Sequence, residues 1–232
     1  MGSTTQYDRS QMFHPEQARR YVEQKRWSDA LKECDGLLNG SDRSYFTSAE
    51  IWGMRAISLL WLGKHDEAES SLVEVEALGA GTTDMVRWYL RQKLAYHGDR
   101  GEIKESDATL ARLLKIAPMP LGVIAMRNGR VRYNAGIMAH TRGRRDACLS
   151  EAVAQFASAE TIWNAVESVE DTTRLENYAL WFLAIVNQSK TSWHMSHVNQ
   201  LLENIELLDA PMATTLRKKL RRRKYLGFRV YR

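Results

Sequence analysis

Little in this chain interrupts a helix or staples a fold. Only 4 prolines and 14 glycines occur in 232 residues, too few for a collagen-like or low-complexity chain. Two cysteines, Cys34 and Cys148, cannot by themselves make a disulfide framework or a zinc site. No apolar run approaches the roughly 20 residues that a helix needs to span a bilayer. The opening Met1-Gly2-Ser3-Thr4-Thr5-Gln6 lacks the charged-then-apolar order of a secretory signal. Strict polar–apolar alternation, the mark of a half-buried strand, is scarce. These gaps point away from a disulfide-rich secreted scaffold and from a transmembrane segment. The expected setting is a reducing, cytoplasmic compartment.

Chemistry-bearing motifs are equally sparse. The sequence holds no Gly-x-Gly-x-x-Gly, no Walker-type loop and no Gly-x-Ser-x-Gly elbow. His194 and His197 share a helix face by their spacing, but no carboxylate or cysteine lies beside them to complete a metal site. The expectation is a protein without catalytic residues, cofactor or metal.

What the chain does have is apolar residues recurring at three and four. Ile51, Met54, Ile57, Leu60 and Trp61 form one stripe, and Ala68, Leu72, Val75 and Leu78 another. Further stripes run through Val86–Leu94, Leu110–Leu114, Val153–Trp163 and Leu180–Ile185. Short polar or glycine-bearing breaks separate them, such as Gly79–Asp84 and His97–Gly101. With 44% hydrophobic residues in 26.6 kDa, the chain can bury a substantial core. The reading is all-α.

A repeat underlies these helices. The turn residues Lys25, Gly63, Gly101 and Gly143 are followed five positions later by Ala30, Ala68, Ser106 and Cys148. Both columns step by 38, 38 and then 42 residues. Seven residues before the turn come Ala18, Ala56, Leu94 and Gly136; four residues after the small one come Cys34, Leu72, Leu110 and Ala152. Two antiparallel helices approach closely only where a side chain is small, and the link between them favours a residue tolerant of the left-handed conformation. One such pair cannot bury its apolar face, whereas stacked pairs bury each other's.

At Ile51–Ala68 the sequence resembles the tetratricopeptide (TPR) repeat family. The small residue Ala56, the turn Leu62-Gly63 and the run Asp66-Glu67-Ala68 carry the likeness. Arg26-Trp27-Ser28-Asp29-Ala30-Leu31 matches the second half of the preceding unit, and the third unit ends at Pro118. The resemblance covers about residues 12–165. It departs from the pattern at Lys25, Leu94, Ser106 and Cys148, and the stride exceeds the usual 34 residues. A fifth helix pair, about 172–208, keeps the stripes without the motif.

The resemblance implies a solenoid of four to five repeats over residues 12–210, preceded by a flexible N-terminus at 1–11 and followed by a basic helix or tail at 211–232. It implies a concave groove lined by the first helix of each pair, which would bind a protein or peptide segment. Glu50, Met54, Ile57, Trp61, Trp88, Arg91, Gln92, Arg130, Tyr133, Asn134, His140, Asn177 and Trp181 fall on that face as exposed residues. Asparagine amides grip peptide backbone because they donate and accept at once. Arg127, Arg130 and Arg132, with Arg142, Arg144 and Arg145 at the next turn, would make the fourth unit electropositive; the alternative is solvated helix faces.

Charge is concentrated at one end. The net charge is +5, yet residues 212–232 hold nine Lys or Arg and no acid, and the remaining 24 basic and 28 acidic residues leave a net of −4. Arg217, Lys218, Lys219, Arg221, Arg222, Arg223 and Lys224 fill seven of eight consecutive positions. Leu216 and Leu220 make a narrow apolar stripe among them, and Tyr225, Phe228 and Tyr231 follow. Such a segment caps a solenoid, meets an acidic protein, contacts phosphates and bases, or lies on an anionic membrane. Three functions are consistent with the sequence: an adaptor binding a protein segment, a nucleic-acid-associated protein using the tail and the fourth-unit arginines, and a receptor that changes shape on binding a small peptide. The adaptor is the principal expectation, and self-association stays open.

Overall fold

The computed structural model describes residues 15–40, 48–79, 82–188 and 195–225, with side chains as far as residue 221. Among the described residues there are eleven helices and no strand. In chain order they are α1 (Pro15–Glu23), α2 (Trp27–Asn39), α3 (Ser48–Trp61), α4 (His65–Ala77), α5 (Thr83–Asp99), α6 (Ile103–Ile116), α7 (Leu121–Met138), α8 (Arg142–Ala165), α9 (Asp171–Asn187), α10 (Met195–Leu208) and α11 (Ala210–Tyr225). Helices pack on their neighbours in sequence. Two compact units result, one ending at Tyr96 and one beginning at His97, so the boundary falls inside α5.

The turn residues of the first three pairs share one conformation. Lys25, Gly63 and Gly101 have φ of 59°, 78° and 65°. At each, the turn residue donates to the carbonyl three back and its successor to the carbonyl five back: Lys25 to Val22 and Arg26 to Tyr21, Gly63 to Leu60 and Lys64 to Leu59, Gly101 to Gly98 and Glu102 to His97. The orphan carbonyls of the helix end are thereby satisfied. The next helix starts alike each time, from Arg26 (φ −89°, ψ 69°), Lys64 (−91°, 68°) and Glu102 (−84°, 82°). None of these three makes a side-chain cap.

Gly143 departs from the expected column. It is not among the residues with positive φ and lies within the first turn of α8. Here α7 stops at Met138, Ala139 is extended, and Thr141 caps α8 by accepting from the Arg144 amide at 3.4 Å. The four extra residues of the 42-residue step give the chain room to reverse through extended backbone and an N-cap, without a left-handed residue.

The small-residue columns are packed. Ala18, Ala56, Ala30, Ala68, Ser106 and Cys148 are all buried, as are Cys34, Leu72, Leu110 and Ala152. Gly136 completes the α7–α8 contact: a Cβ there would come 2.9 Å from the Leu149 Cγ. In the first unit α3 is buried along most of its length, from Ile51 through Leu60. Arg55 ties it to both flanking helices, through Asp35 of α2 at 2.7 Å and Ser71 of α4 at 2.5 Å. In the second unit one core joins α7 to α11 through Leu149, Phe156, Trp163, Phe182, Leu201, Ile205 and Leu220.

Candidate functional site

Three helices that each precede a left-handed turn, α1, α3 and α5, line a cleft of about 280 Å³ in the first unit. Arg19 comes from α1, Glu50 and Met54 from α3, and Asp84, Met85 and Trp88 from α5. The helical period explains the grouping: Glu50 and Met54 lie four apart, and Asp84 and Trp88 likewise. Met54 is only 2% exposed and serves as floor. Met85 lies over Gly53, where a Cβ would meet the Met85 Cε. Trp88 is half-buried. An apolar base of two methionines and an indole is thus ringed by one guanidinium and two carboxylates. Asp84 pairs with Arg87 at 2.9 Å, and Arg19 lies 3.9 Å from Glu23.

Trp61 and Arg91 do not line this cleft. The Trp61 ring stacks on Trp27 with centroids 5.4 Å apart and planes within 6°. It also meets Tyr96 edge-on at 5.4 Å, and its Nε1 donates to Gln92 Oε1 at 3.3 Å. The indole is committed to neighbouring helices. Arg91 is exposed.

In the second unit Arg130 of α7 bridges Asp99 of α5 at 2.9 Å and Glu176 of α9 at 3.0 Å. Arg132 lies between Glu151 at 3.2 Å and Asp107 at 3.9 Å. The expected electropositive cluster is therefore corrected at both residues, since two carboxylates flank each guanidinium. Asn134 Nδ2 donates to the Gly98 carbonyl at 2.9 Å, the carbonyl that also accepts from Gly101 in the turn. Its amide braces a helix end. His140 is exposed and lines a second cleft of about 560 Å³, with Arg100, Lys104, Glu105, Met138 and Arg144.

Asn177 is not a surface residue. It is 0% exposed, and its Nδ2 donates to the Phe156 carbonyl at 3.2 Å. The helical period turns this position toward α8, between Tyr178 and Glu176, and a short amide can reach the backbone there. The groove role expected for Asn177 is replaced by an internal one.

The basic segment is a packed helix over Ala210–Tyr225. Ala213, Leu216 and Leu220 join the core of the second unit. Asp209 Oδ1 accepts from the Met212 amide at 2.9 Å and caps its start. Arg217 makes two hydrogen bonds to Glu206, at 2.9 and 2.5 Å. Lys218, Lys219 and Arg221 are exposed. The side chains of Arg222, Arg223 and Lys224 lie outside the described residues, as does His194.

Among the described residues no three His, Cys, Asp or Glu side chains gather as a metal ion requires. No described helix is long and apolar enough to cross a membrane. Burial pushes the Cys34 thiol up to about 12, with the Asp35 charge adding to it; a nucleophilic thiol needs the opposite shift. Sequence reasoning missed Arg19, Asp84 and Met85. The spacing of Asp84, Met85 and Trp88 on one face of α5 was an available signal; nothing in the sequence pairs Arg19 with them. No protein-family model, no curated protein and no solved structure matches this chain.

Proposed function

We propose that the chain is a non-enzymatic adaptor, a TPR-like helical repeat that takes a segment of a protein partner on the face of its first helices, in a reducing, cytoplasmic compartment. The observation that carries this reading is the lining of the first-unit cleft. It comes only from α1, α3 and α5, the helices that precede the three left-handed turns spaced by 38 residues. A repeat places equivalent helices side by side, and their shared face is where an extended or helical segment lies across several units. Met54, Met85 and Trp88 seat an apolar side chain, and methionine adapts its shape to one. Arg19, Glu50 and Asp84 fix the segment's polar groups and register.

Affinity purification from the native host tests the reading. Full-length chain, Trp88→Ala and Asp84→Lys are compared. At least one partner recovered with the parent and lost from both variants supports an adaptor. An identical partner set from all three overturns it.

A further inference from the structure

Beyond the first-unit cleft, we propose that the cleft between the α5–α6 turn and the α7–α8 link binds a small amphipathic carboxylate, its charge held by Lys104 and Arg144 and its apolar body lying against Ile103 and Met138.

The cleft measures about 560 Å³ and lies wholly within the second unit. One wall is the turn at Arg100 and Gly101 with the start of α6, and the other is the end of α7 with the start of α8. The walls are seated on each other without a ligand. Gly101 packs so closely on α7 that a Cβ there would lie 2.4 Å from the Ala135 nitrogen. Arg145 Nη2 donates to the Ala139 carbonyl at 3.5 Å, which ties the link to α8. A preformed cavity loses little conformational freedom when it is filled.

Much of the lining is apolar. Ala135 and Ala139 are buried, Ile103 is half-buried, and Met138 is 54% exposed. An exposed thioether side chain gains by being covered, and it moulds to what covers it. A site of this volume, with apolar walls and a few polar groups, suits a small molecule.

The charges select among small molecules. Arg100 pairs with Glu102 at 2.9 Å, and Glu102 also hydrogen-bonds to His97 at 2.7 Å. Lys104 and Arg144 are exposed, and among the described residues no carboxylate pairs with either side chain. Glu105, also in the lining, offsets one of them. A single positive charge is left over. One carboxylate balances it, a phosphate dianion exceeds it, and a polyanion would need several cations in a row. The His140 ring adds a nitrogen able to hydrogen-bond a carboxylate oxygen.

The test is the methyl NMR spectrum of the full chain with isotope-labelled methionine, the Met138 signal being assigned from Met138→Leu. Octanoate, octanamide, acetate and inorganic phosphate are titrated separately. Octanoate is expected to shift the Met138 methyl saturably, with a Kd of about 1 mM or below, and to leave Met54 of the first unit unmoved. Octanamide keeps the apolar body and lacks the charge, and is expected to bind about tenfold more weakly. Acetate keeps the charge and lacks the body, and is expected to leave the Met138 methyl unmoved. The double variant Lys104→Gln, Arg144→Gln is expected to weaken octanoate about tenfold and to leave octanamide as it was. The octanoate–octanamide comparison in the unmodified chain needs no variant to fold. An unmoved Met138 methyl overturns the proposal, as does an equal shift at Met54 or equal affinity for the acid and the amide. Displacement of octanoate by equimolar phosphate overturns it in favour of a phosphoryl ligand. A glutamate-rich peptide that displaces octanoate at a lower concentration overturns it in favour of an acidic protein segment.

Discussion

Lys25 and Gly63 hold the same left-handed backbone conformation 38 residues apart, at φ of 59° and 78°. A side chain in this region is strained, and glycine is not. Lys25→Gly is therefore expected to raise stability by up to about 1 kcal/mol, and Gly63→Ala to lower it by about the same amount. No heavy atom lies within 4 Å of a Cβ built on Gly63, so its cost comes from φ alone. Gly101→Ala is expected to cost more, because its Cβ would sit 2.4 Å from the Ala135 nitrogen. Urea denaturation of the four chains measures the order.

Much of this geometry was legible in the sequence, and the reason is local. A left-handed turn followed five residues later by a small buried side chain needs only the backbone preferences of glycine and the size of alanine. Those survive in a bare string of letters. Gly143 was misleading because its column position looked right while four extra residues offered another route. The cleft was half legible. Met54 and Trp88 were expected as exposed groove residues; both line the cleft, but Met54 is buried at its base, and Arg19 enters from a helix about 30 residues away in sequence. Asn177 failed for a physical reason: a polar side chain on a first helix is drawn inward when a backbone carbonyl lies within reach, and no sequence pattern reports that.

Asn177 should then matter for stability and not for partner recovery. Asn177→Ala removes a buried hydrogen bond and leaves a small void, and is expected to cost about 1–3 kcal/mol. Asn134→Ala, which is half-buried, is expected to cost less than about 1 kcal/mol. A larger loss at Asn134 than at Asn177 would contradict this assignment of burial.

The thiol of Cys34 offers a check on packing in the first unit. Burial raises it to about 12 from an ordinary 9.0. Because the folded value is the higher one, its contribution to stability is full below about pH 9 and is lost as pH rises toward 12. At pH 8 an aromatic disulfide reagent should leave Cys34 unmodified in the native chain and react promptly in urea. Rapid native-state reaction would show that α2 opens far more often than its packing implies.

Acid should act through Glu102. Burial opposes its charge, but hydrogen bonds from His97 at 2.7 Å and Arg100 at 2.9 Å outweigh this and hold the carboxyl below its ordinary 4.5. A folded value below the unfolded one gives stability above the ordinary carboxylate range that fades as pH falls through the lower value. Glu102→Gln is therefore expected to be less stable than the parent at pH 7, with the gap closing below about pH 4. Urea midpoints at pH 7, 5, 4 and 3 measure it. A gap that stays constant with pH would show that the carboxylate charge is not what stabilises this turn.

Arg130 should behave as a surface pair. Its two carboxylate partners are partly exposed, so Arg130→Ala is expected to cost about 0.2–1 kcal/mol and less in high salt. Double-mutant cycles with Asp99→Ala and Glu176→Ala measure the two couplings separately.

The joints at Arg26 and Lys64 differ by only a few degrees in backbone angle. Lys25 spliced directly to Lys64 would meet a geometry the chain already uses, as would a second copy of residues 26–63 inserted between them. At these two points the chain leaves one helix and enters the next by the same local route, so the same two residues' worth of backbone sets both reversals.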